Sequence, residues 1–389
     1  MVSSRDLADV RAIMIDFANR TGVQSAANHP QRYLWTDAFA VCALLSFFEE
    51  SDDEEYLDLA IRLIAQVHET LGRHRHDDRR VGWISGLDEE KGHRHPTAGG
   101  LRIGKRLNER AARYTGDEPD EWDRDGQYFH YLTKWMHALE RAAVITSNAS
   151  YCRWALELAQ AAHKAFTYMP TDGGALRMYW KMSIDLSRPT VPSMGHHDPL
   201  DAFVTFSELE HCRTAYFADA KLPDLQSQIS DAAAICAGRN WVTEDPLGIG
   251  GLLVDLCRMS QLQNHDSMFL ATALEKTLVD ANIGLSTFLS NYPLHASAAR
   301  RLAFRELGLS IGLHAIEALH RRFIEEQVSL TDDAGRELEK LTRFISVADH
   351  IETFWRSPAN QSTATWRDHI DINSVMLATS LLPQQFLSV

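Results

Sequence analysis

Apolar residues recur along the chain at the three- and four-residue spacing of amphipathic α-helices, and the strict alternation typical of β-strands is nearly absent. In the segment 53–72 the apolar positions fall on a single helical face. These positions are Leu57, Ala60, Ile61, Ile64, Val67 and Leu71. The same periodicity predicts about twelve long helices. Their approximate ranges are 4–19, 36–50, 53–73, 121–146, 149–167, 199–219, 223–238, 248–262, 266–289, 298–323, 334–354 and 369–381.

The predicted helices alternate between two kinds. Those that begin near 36, 121, 199, 248, 298 and 369 carry small or apolar residues around most of their circumference. The others have a distinct charged face, which is typical of a half-exposed helix. Alternation of buried and half-exposed helices predicts two concentric rings of helices in an all-α domain that spans residues 1–389.

The connecting loops are unequal in length. Loops that lead from a buried to a half-exposed helix are short, as at 51–53, 147–148 and 264–267. Loops in the other direction are long and rich in Gly, Pro, His and Trp, as at 74–120, 168–197 and 355–367. Long loops on a rigid scaffold commonly carry function, and helix N-termini add partial positive charge. We therefore expect the functional pocket where the buried helices begin.

This pattern of helix number, helix length and loop asymmetry resembles the (α/α)6 toroid of the six-hairpin glycosidases and the N-acylglucosamine 2-epimerase group. The resemblance covers nearly the whole chain. It implies an all-α (α/α)6 toroid whose pocket lies at the loop-bearing end of the inner ring. No catalytic motif of these families is matched, so the resemblance assigns a role to no individual residue.

Composition favours a small-molecule ligand. The chain is 45% hydrophobic and 24% charged, which is typical of a soluble globular protein, and its formal net charge is -14. A strongly acidic protein is a poor partner for nucleic acid or an anionic membrane, so we expect neither. The five cysteines show no C-x-x-C spacing and are expected to be reduced core thiols. With no signal-peptide pattern at the N-terminus, we expect a cytoplasmic protein.

Three of the buried helices are predicted to begin with an Asp-x-x-Asp spacing. The pairs are Asp120 and Asp123, Asp198 and Asp201, and Asp368 and Asp371. We expect the first Asp of each pair to be the N-cap of its helix. The second Asp, together with Asp125, would lie in the first turn, where two carboxylates can divide general acid and base work. Solvated acids that the helix dipole favours are the alternative.

Aromatic residues accompany these acids. The indole of a Trp can stack on the C–H face of a pyranose while neighbouring polar groups bind its hydroxyls. The predicted substrate-binding residues are Trp35, Asp37, Trp122, Gln127, Tyr128, Trp180, Lys181 and Trp366. Packing within the core is the alternative for each Trp.

Histidines are a second kind of candidate acid–base group. His196 and His197 directly precede one predicted buried helix, and His369 lies beside Asp371 at another. Imidazole titrates near neutral pH, which suits proton transfer in epimerisation as well as hydrolysis. A loop histidine that bonds to backbone carbonyls is the alternative.

The segment 91–113 is basic within an otherwise acidic chain. Its Arg102 is a candidate to bind the carboxylate or phosphate of an anionic sugar. Pairing of this segment with the acidic residues at 117–121 is the alternative.

No metal or cofactor motif is found. The sequence lacks H-x-x-x-H and C-x-x-C spacings, a Rossmann fingerprint and a Gly-x-Ser-x-Gly elbow. We therefore expect neither a metal nor a cofactor.

These patterns favour a carbohydrate-active enzyme, most simply a glycoside hydrolase. Asp123 or Asp125 would protonate the leaving oxygen, and Asp201 or Asp371 would act as base or nucleophile. The alternatives are a sugar epimerase or isomerase that uses the histidines, a lyase or dehydratase, and a non-catalytic toroid that binds a ligand.

Overall fold

The computed structural model describes residues 3–24, 30–110, 118–171, 173–262, 268–291 and 294–389. Two compact units divide the chain. Unit 1 comprises Met1–Phe17, Glu49–Asp52 and Gly238–Val389, and unit 2 comprises Ala18–Phe48 and Asp53–Ala237. The expectation of one domain over 1–389 stays a prediction. The predicted loop 264–267 lies outside the described residues.

Helices dominate both units. In chain order they are α1 (Ser4–Arg20), α2 (Leu34–Ser51), α3 (Glu54–Leu71), α4 (Glu89–Arg94), α5 (Phe129–Thr146), α6 (Ala149–Phe166), α7 (Asp198–Ala215), α8 (Gln226–Cys236), α9 (Pro246–Leu262), α10 (Met268–Asn291), α11 (Ala303–Ile324), α12 (Asp332–Thr342), α13 (Ser346–Arg356), α14 (Pro358–Gln361), α15 (Ala364–Arg367), α16 (Ile370–Leu381) and α17 (Gln384–Leu387). Two 3-10 helices cover Glu118–Asp123 and Ala298–Arg300. Among the described residues, no helix is long and apolar enough to cross a membrane.

Five very short strands lie in the long loops of unit 2. They are β1 (Gln127–Tyr128), β2 (Thr167–Tyr168), β3 (Arg177–Met178), β4 (Lys181–Met182) and β5 (Pro189–Val191). The antiparallel order β1-β4-β5 forms one sheet, and β2 pairs with β3 in another. Strands of two or three residues leave no period-two pattern, which explains why the sequence predicted almost none.

The core of unit 2 follows the predicted alternation of helix types. Helices α2, α5 and α7 are buried around most of their circumference, whereas α3 and α6 bury one face. Helix α5 packs against α6 and α7, and α7 packs against α8. Trp135 and Phe129 of α5 are fully buried in this core. All five cysteines of the chain are buried, and none forms a disulfide.

Unit 1 is organised around α11, which packs against α9, α12, α13 and α16. Glu352 of α13 joins three helices, because its Oε1 accepts hydrogen bonds of 2.7 Å from Ser310, His314 and Ser380. Burial opposes the charge of His314, but the carboxylates of Glu317 and Glu352 outweigh this effect and raise its pKa to about 9.

Several predicted boundaries are wrong. Helix α5 begins at Phe129 instead of near 121, because the preceding residues form the 3-10 helix and then strand β1, which pairs with β4. The predicted helix 334–354 is two helices, α12 and α13, and α11 begins only at Ala303. These errors arise at turns and pairings that helical periodicity does not report.

The predicted N-caps are also wrong where the structure describes them. His197 is the N-cap of α7, so Asp198 lies inside the first turn. Asp368 ends α15, and His369 is the N-cap of α16. The N-cap of α5 is Tyr128, and the side chain of Asp120 lies outside the described residues.

Candidate functional site

The first turns of α2, α5 and α7 come together in unit 2. The ring of Trp35, from α2, lies 5.2 Å from that of Tyr131 and 5.9 Å from that of His130, both from α5. His130 Nδ1 lies 3.7 Å from Oδ1 of Asp198, the first residue of α7. This cluster of helix starts is the candidate site.

Asp201 is firmly held in this cluster. Its Oδ1 accepts from Lys134 Nζ at 2.7 Å, and its Oδ2 accepts from Thr133 Oγ1 at 2.5 Å. Both partners lie on α5, so the carboxylate joins the first turns of α5 and α7. The ion pair with Lys134 favours the charged form of Asp201.

Asp198 has the opposite environment. It is 5% exposed, and its Oδ2 finds no hydrogen-bond partner among the described residues. Burial and, secondarily, the charge of Asp201 raise its pKa to about 8, while Lys134 acts in the opposite direction. Asp198 therefore holds a proton at neutral pH, which is the state required of a general acid.

Gly195 provides the room for this carboxyl group. A Cβ atom added at Gly195 would lie 2.3 Å from Oδ2 of Asp198, far inside van der Waals contact. The loop before α7 thus approaches Asp198 as closely as a backbone without a side chain allows.

His130 is a site residue that the sequence analysis missed. Burial lowers its pKa to about 4, so the imidazole is neutral at neutral pH. Its Nδ1 has no hydrogen-bond partner among the described residues. Because the sequence analysis begins this helix near residue 121, it places His130 in the middle of the helix and not at its start. The start at Phe129 puts it in the first turn.

The phenols of Tyr33 and Tyr131 lie beside the pair formed by His130 and Asp198. The hydroxyls of Tyr33 and Tyr131 lie 2.7 Å apart, and burial raises the pKa of both groups. Both therefore stay protonated, and since one hydroxyl donates to the other, the accepting hydroxyl can donate its own proton to a ligand.

The series of aromatic contacts continues from His130 to Trp180. Its ring stacks on that of His130 at 6.2 Å with an interplanar angle of 17°. It also contacts Tyr128 at 5.3 Å and meets Trp122 edge-on at 4.8 Å. Trp35, Trp122, Tyr128 and Trp180, all predicted substrate-binding residues, are thus brought together.

Asp125 lies in a different setting. It is fully buried, and its Oδ2 accepts from Arg75 at 3.1 Å and from Arg102 at 2.9 Å. Its Oδ1 accepts from the backbone N–H groups of Gly104 and Gly126. Arg102 also donates to two backbone carbonyls. These contacts favour a structural role for both residues, and their predicted catalytic and substrate-binding roles stay predictions.

Other predicted binding residues are also occupied by internal contacts. Gln127 bonds to the backbone of residues 99, 101 and 184. Asp37 accepts from the N–H of Tyr33 and lies 3.5 Å from Arg32. Lys181 donates to Glu121 and to the carbonyl of residue 124. Such contacts hold the loops of the site in place.

Three of the remaining predicted residues belong to unit 2. Asp123 is exposed at the end of the 3-10 helix, and the rings of His196 and His197 lie 4.6 Å apart before α7. The other three belong to unit 1: Trp366 is buried and stacks on Trp355 at 5.7 Å, His369 contacts Phe304 at 6.1 Å, and Asp371 lies in the first turn of α16. Their predicted roles stay predictions.

One cluster has the donor types of a metal site. Ligand atoms of His137, Glu140 and Glu208 lie within 4.8 Å of one another, all buried. Arg141 forms a bidentate ion pair with Glu140, and His137 Nδ1 lies 2.5 Å from Glu208 Oε1. Within this cluster the guanidinium of Arg141 provides a positive charge beside Glu140.

Comparison with known proteins identifies the fold. No protein-family model and no curated protein matches the sequence. A GH76 α-1,6-mannanase from Salegentibacter sp. is 10% identical with a TM-score of 0.52, over 98% of this chain and 99% of its own. A GH76 α-mannanase from Bacteroides thetaiotaomicron is 11% identical with a TM-score of 0.50, over 91% of this chain and 87% of its own. A cellobiose 2-epimerase from Spirochaeta thermophila has a TM-score of 0.45 at 11% identity, over 91% and 86% of the two chains.

The likeness to the two mannanases confirms the predicted fold class. The chain shares the all-α fold of the two GH76 α-mannanases. Identities near 10% show the fold alone, since one fold hosts many activities.

Proposed function

We propose that this protein is a carbohydrate-active enzyme, and specifically a glycoside hydrolase in which Asp198 is the general acid. The observation that carries the proposal is the buried carboxyl of Asp198, which lacks a hydrogen-bond partner at Oδ2 among the described residues and has a pKa of about 8. A carboxylic acid that keeps its proton at neutral pH can protonate the leaving glycosidic oxygen. Asp198 takes this role in place of Asp123 or Asp125.

Asp201 supplies the second carboxylate. Hydrogen bonds from Lys134 and Thr133 hold its carboxylate one helical turn from Asp198. An ionised carboxylate near the sugar stabilises the positive charge of an oxocarbenium-like transition state.

The aromatic walls favour a sugar as the ligand. The rings of Trp35, Tyr131 and Trp180 contact the imidazole of His130. Such rings stack on the C–H faces of pyranoses, while Asp198, His130 and the paired phenols provide polar contacts for hydroxyls. Since two proteins with this fold are α-mannanases, α-mannosides are the first substrates to test.

The test begins with a screen of α-1,6-manno-oligosaccharides for release of reducing sugar. With an active substrate, Asp198→Asn should lower kcat by about 10²- to 10⁴-fold, the usual contribution of a general acid. Asp219→Asn, which changes an exposed Asp of the same unit, is the matched control. Full activity in the Asp198→Asn variant with unchanged circular dichroism would refute the assignment.

A sugar epimerase or isomerase is the second candidate. The neutral imidazole of His130 lies 3.7 Å from the protonated Asp198, so on one face of an open-chain sugar the imidazole could accept the proton of a carbon next to the carbonyl while Asp198 donates its proton to the carbonyl oxygen. Incorporation of solvent deuterium at a carbon of the recovered sugar, without chain cleavage, would select this reaction over hydrolysis.

A further inference from the structure

Trp122 is unusually exposed for a large aromatic residue. Its side chain lies on the 3-10 helix Glu118–Asp123 and is 54% exposed. An indole in this state loses the stabilisation that burial would give, so its exposed surface is available to a ligand.

The position of Trp122 is fixed by polar contacts on both sides. Glu121, its neighbour, bonds to Lys181 Nζ at 2.9 Å, and the same ammonium donates to the carbonyls of Glu121 and Arg124. Lys105 donates to the carbonyl of Trp122 itself. Since Lys181 directly follows Trp180, its buried ammonium holds the 3-10 helix and strand β4 together. The two indoles are therefore preorganised as a pair.

An unbroken series of rings connects this pair with the proposed acid. Asp198 lies 3.7 Å from His130, His130 stacks on Trp180 at 6.2 Å, and Trp180 meets Trp122 at 4.8 Å. Exposure increases along the series, from the buried Asp198 to the half-exposed Trp122. A ligand longer than one sugar unit could follow these rings outwards from the acid.

We propose that Trp122 and Trp180 form a second sugar-binding subsite, and that the substrate is an oligosaccharide or polysaccharide. This inference rests on the proposed function, because the subsite is defined relative to Asp198. Trp122 provides a face for a pyranose ring, and the exposed carboxylate of Asp123 next to it can accept hydrogen bonds from hydroxyls. A purely apolar ligand would not use this carboxylate.

Binding as a function of chain length tests the subsite. The Asp198→Asn variant serves as background so that bound ligands are not turned over. It is titrated by calorimetry with α-1,6-manno- and β-1,4-gluco-oligosaccharides of one to four units. Affinity should rise with length, and Trp122→Ala should weaken binding of the longest ligand roughly three- to tenfold while leaving the monosaccharide unchanged. Trp122→Phe should retain part of the gain.

Tyr216→Ala is the matched control, because Tyr216 is 52% exposed but lies at the opposite end of α7 from Asp198. It should leave the length dependence intact. If short glycosides bind or are hydrolysed but length brings no gain, or if Trp122→Ala keeps the whole gain, only the second subsite is refuted. If sugars of no length bind or react, the proposed function fails together with the subsite.

Discussion

Asp125 and Asp198 are both buried carboxyl groups at the entry to a buried helix of unit 2, yet their surroundings are opposite. Asp125 accepts hydrogen bonds from two guanidinium groups and two backbone N–H groups. Asp198 has His130 at 3.7 Å and no hydrogen-bond partner at Oδ2 among the described residues. The contacts of Asp125 stabilise its loop, whereas the surroundings of Asp198 favour the protonated form of its carboxyl. The difference lies in the partners, since both groups are equally removed from solvent.

Substitution of Asp125 should have the largest effect on stability. Asp125→Ala leaves the buried cations Arg75 and Arg102 without their shared carboxylate, so the free energy of unfolding should fall by about 3–5 kcal/mol. Urea denaturation measures this change. In the same assay Asp198→Asn should be neutral or stabilising, because it removes a carboxyl that burial disfavours in its charged form. Equal losses for the two variants would remove the distinction.

The space around Asp198 provides the next test. In Gly195→Ala the new Cβ would lie 2.3 Å from Asp198 Oδ2, so the carboxyl must move. A displacement of this kind can lower kcat by up to about 10²-fold. Gly251→Ala is the control, because nothing lies within 4 Å of its added Cβ. Unchanged kcat in Gly195→Ala would show that Asp198 is not positioned for catalysis.

The pH dependence follows from the direction of the shift. The rate should fall as pH rises through about 8, where Asp198 loses its proton. The charged groups that act on Asp198 are Asp201 and Lys134, with His130 neutral beside it. Asp201→Asn removes a negative charge and frees Lys134, so the alkaline limb should move to lower pH by about one unit. A limb that stays in place would exclude Asp198 as its origin.

The free energy of unfolding should also depend on the titration of Asp198. Because the pKa of Asp198 in the folded state lies above its ordinary value of 3.8, the folded state binds the extra proton between about pH 4 and about pH 8. The free energy of unfolding therefore falls as pH rises through this window, and above it the loss is complete and this group adds no further pH dependence. Denaturation at a series of pH values should show a shallower slope in Asp198→Asn.

In contrast to Asp198, His314 in unit 1 lies beside oppositely charged groups. Its substitution should have the smallest effect on stability. Its pKa is raised to about 9, so its stabilising contribution is complete below its ordinary value of 6.5 and is lost as pH rises through about 9. His314→Asn should lower stability by about 1 kcal/mol near neutral pH and leave it nearly unchanged above about pH 9. Thermal unfolding at the two pH values checks this, and an equal loss at both would contradict an ionic role.

The sequence predicted the helices well because helical periodicity is local. It placed α5 eight residues too early because strand β1 is defined by pairing with β4, more than fifty residues away in the chain. That error hid His130. The partners of Asp125 were equally remote, since Arg75 is separated from it by fifty residues. The protonation state of Asp198 has no sequence signature either, because it depends on which groups other elements place around its carboxyl.

The residues proposed to bind the ligand and the residue proposed to act as the acid lie on different segments of the chain. The buried ammonium of Lys181 joins the binding segments. It fastens together two short segments that carry Trp122 and Trp180, whereas the proposed acid belongs to α7. Residue 122 contacts neither Asp198 nor His130 in the series of rings, whereas Trp180 stacks on His130. Libraries aimed at new ligand preferences should therefore randomise position 122 and keep Trp180, Lys181, Glu121 and the start of α7 constant.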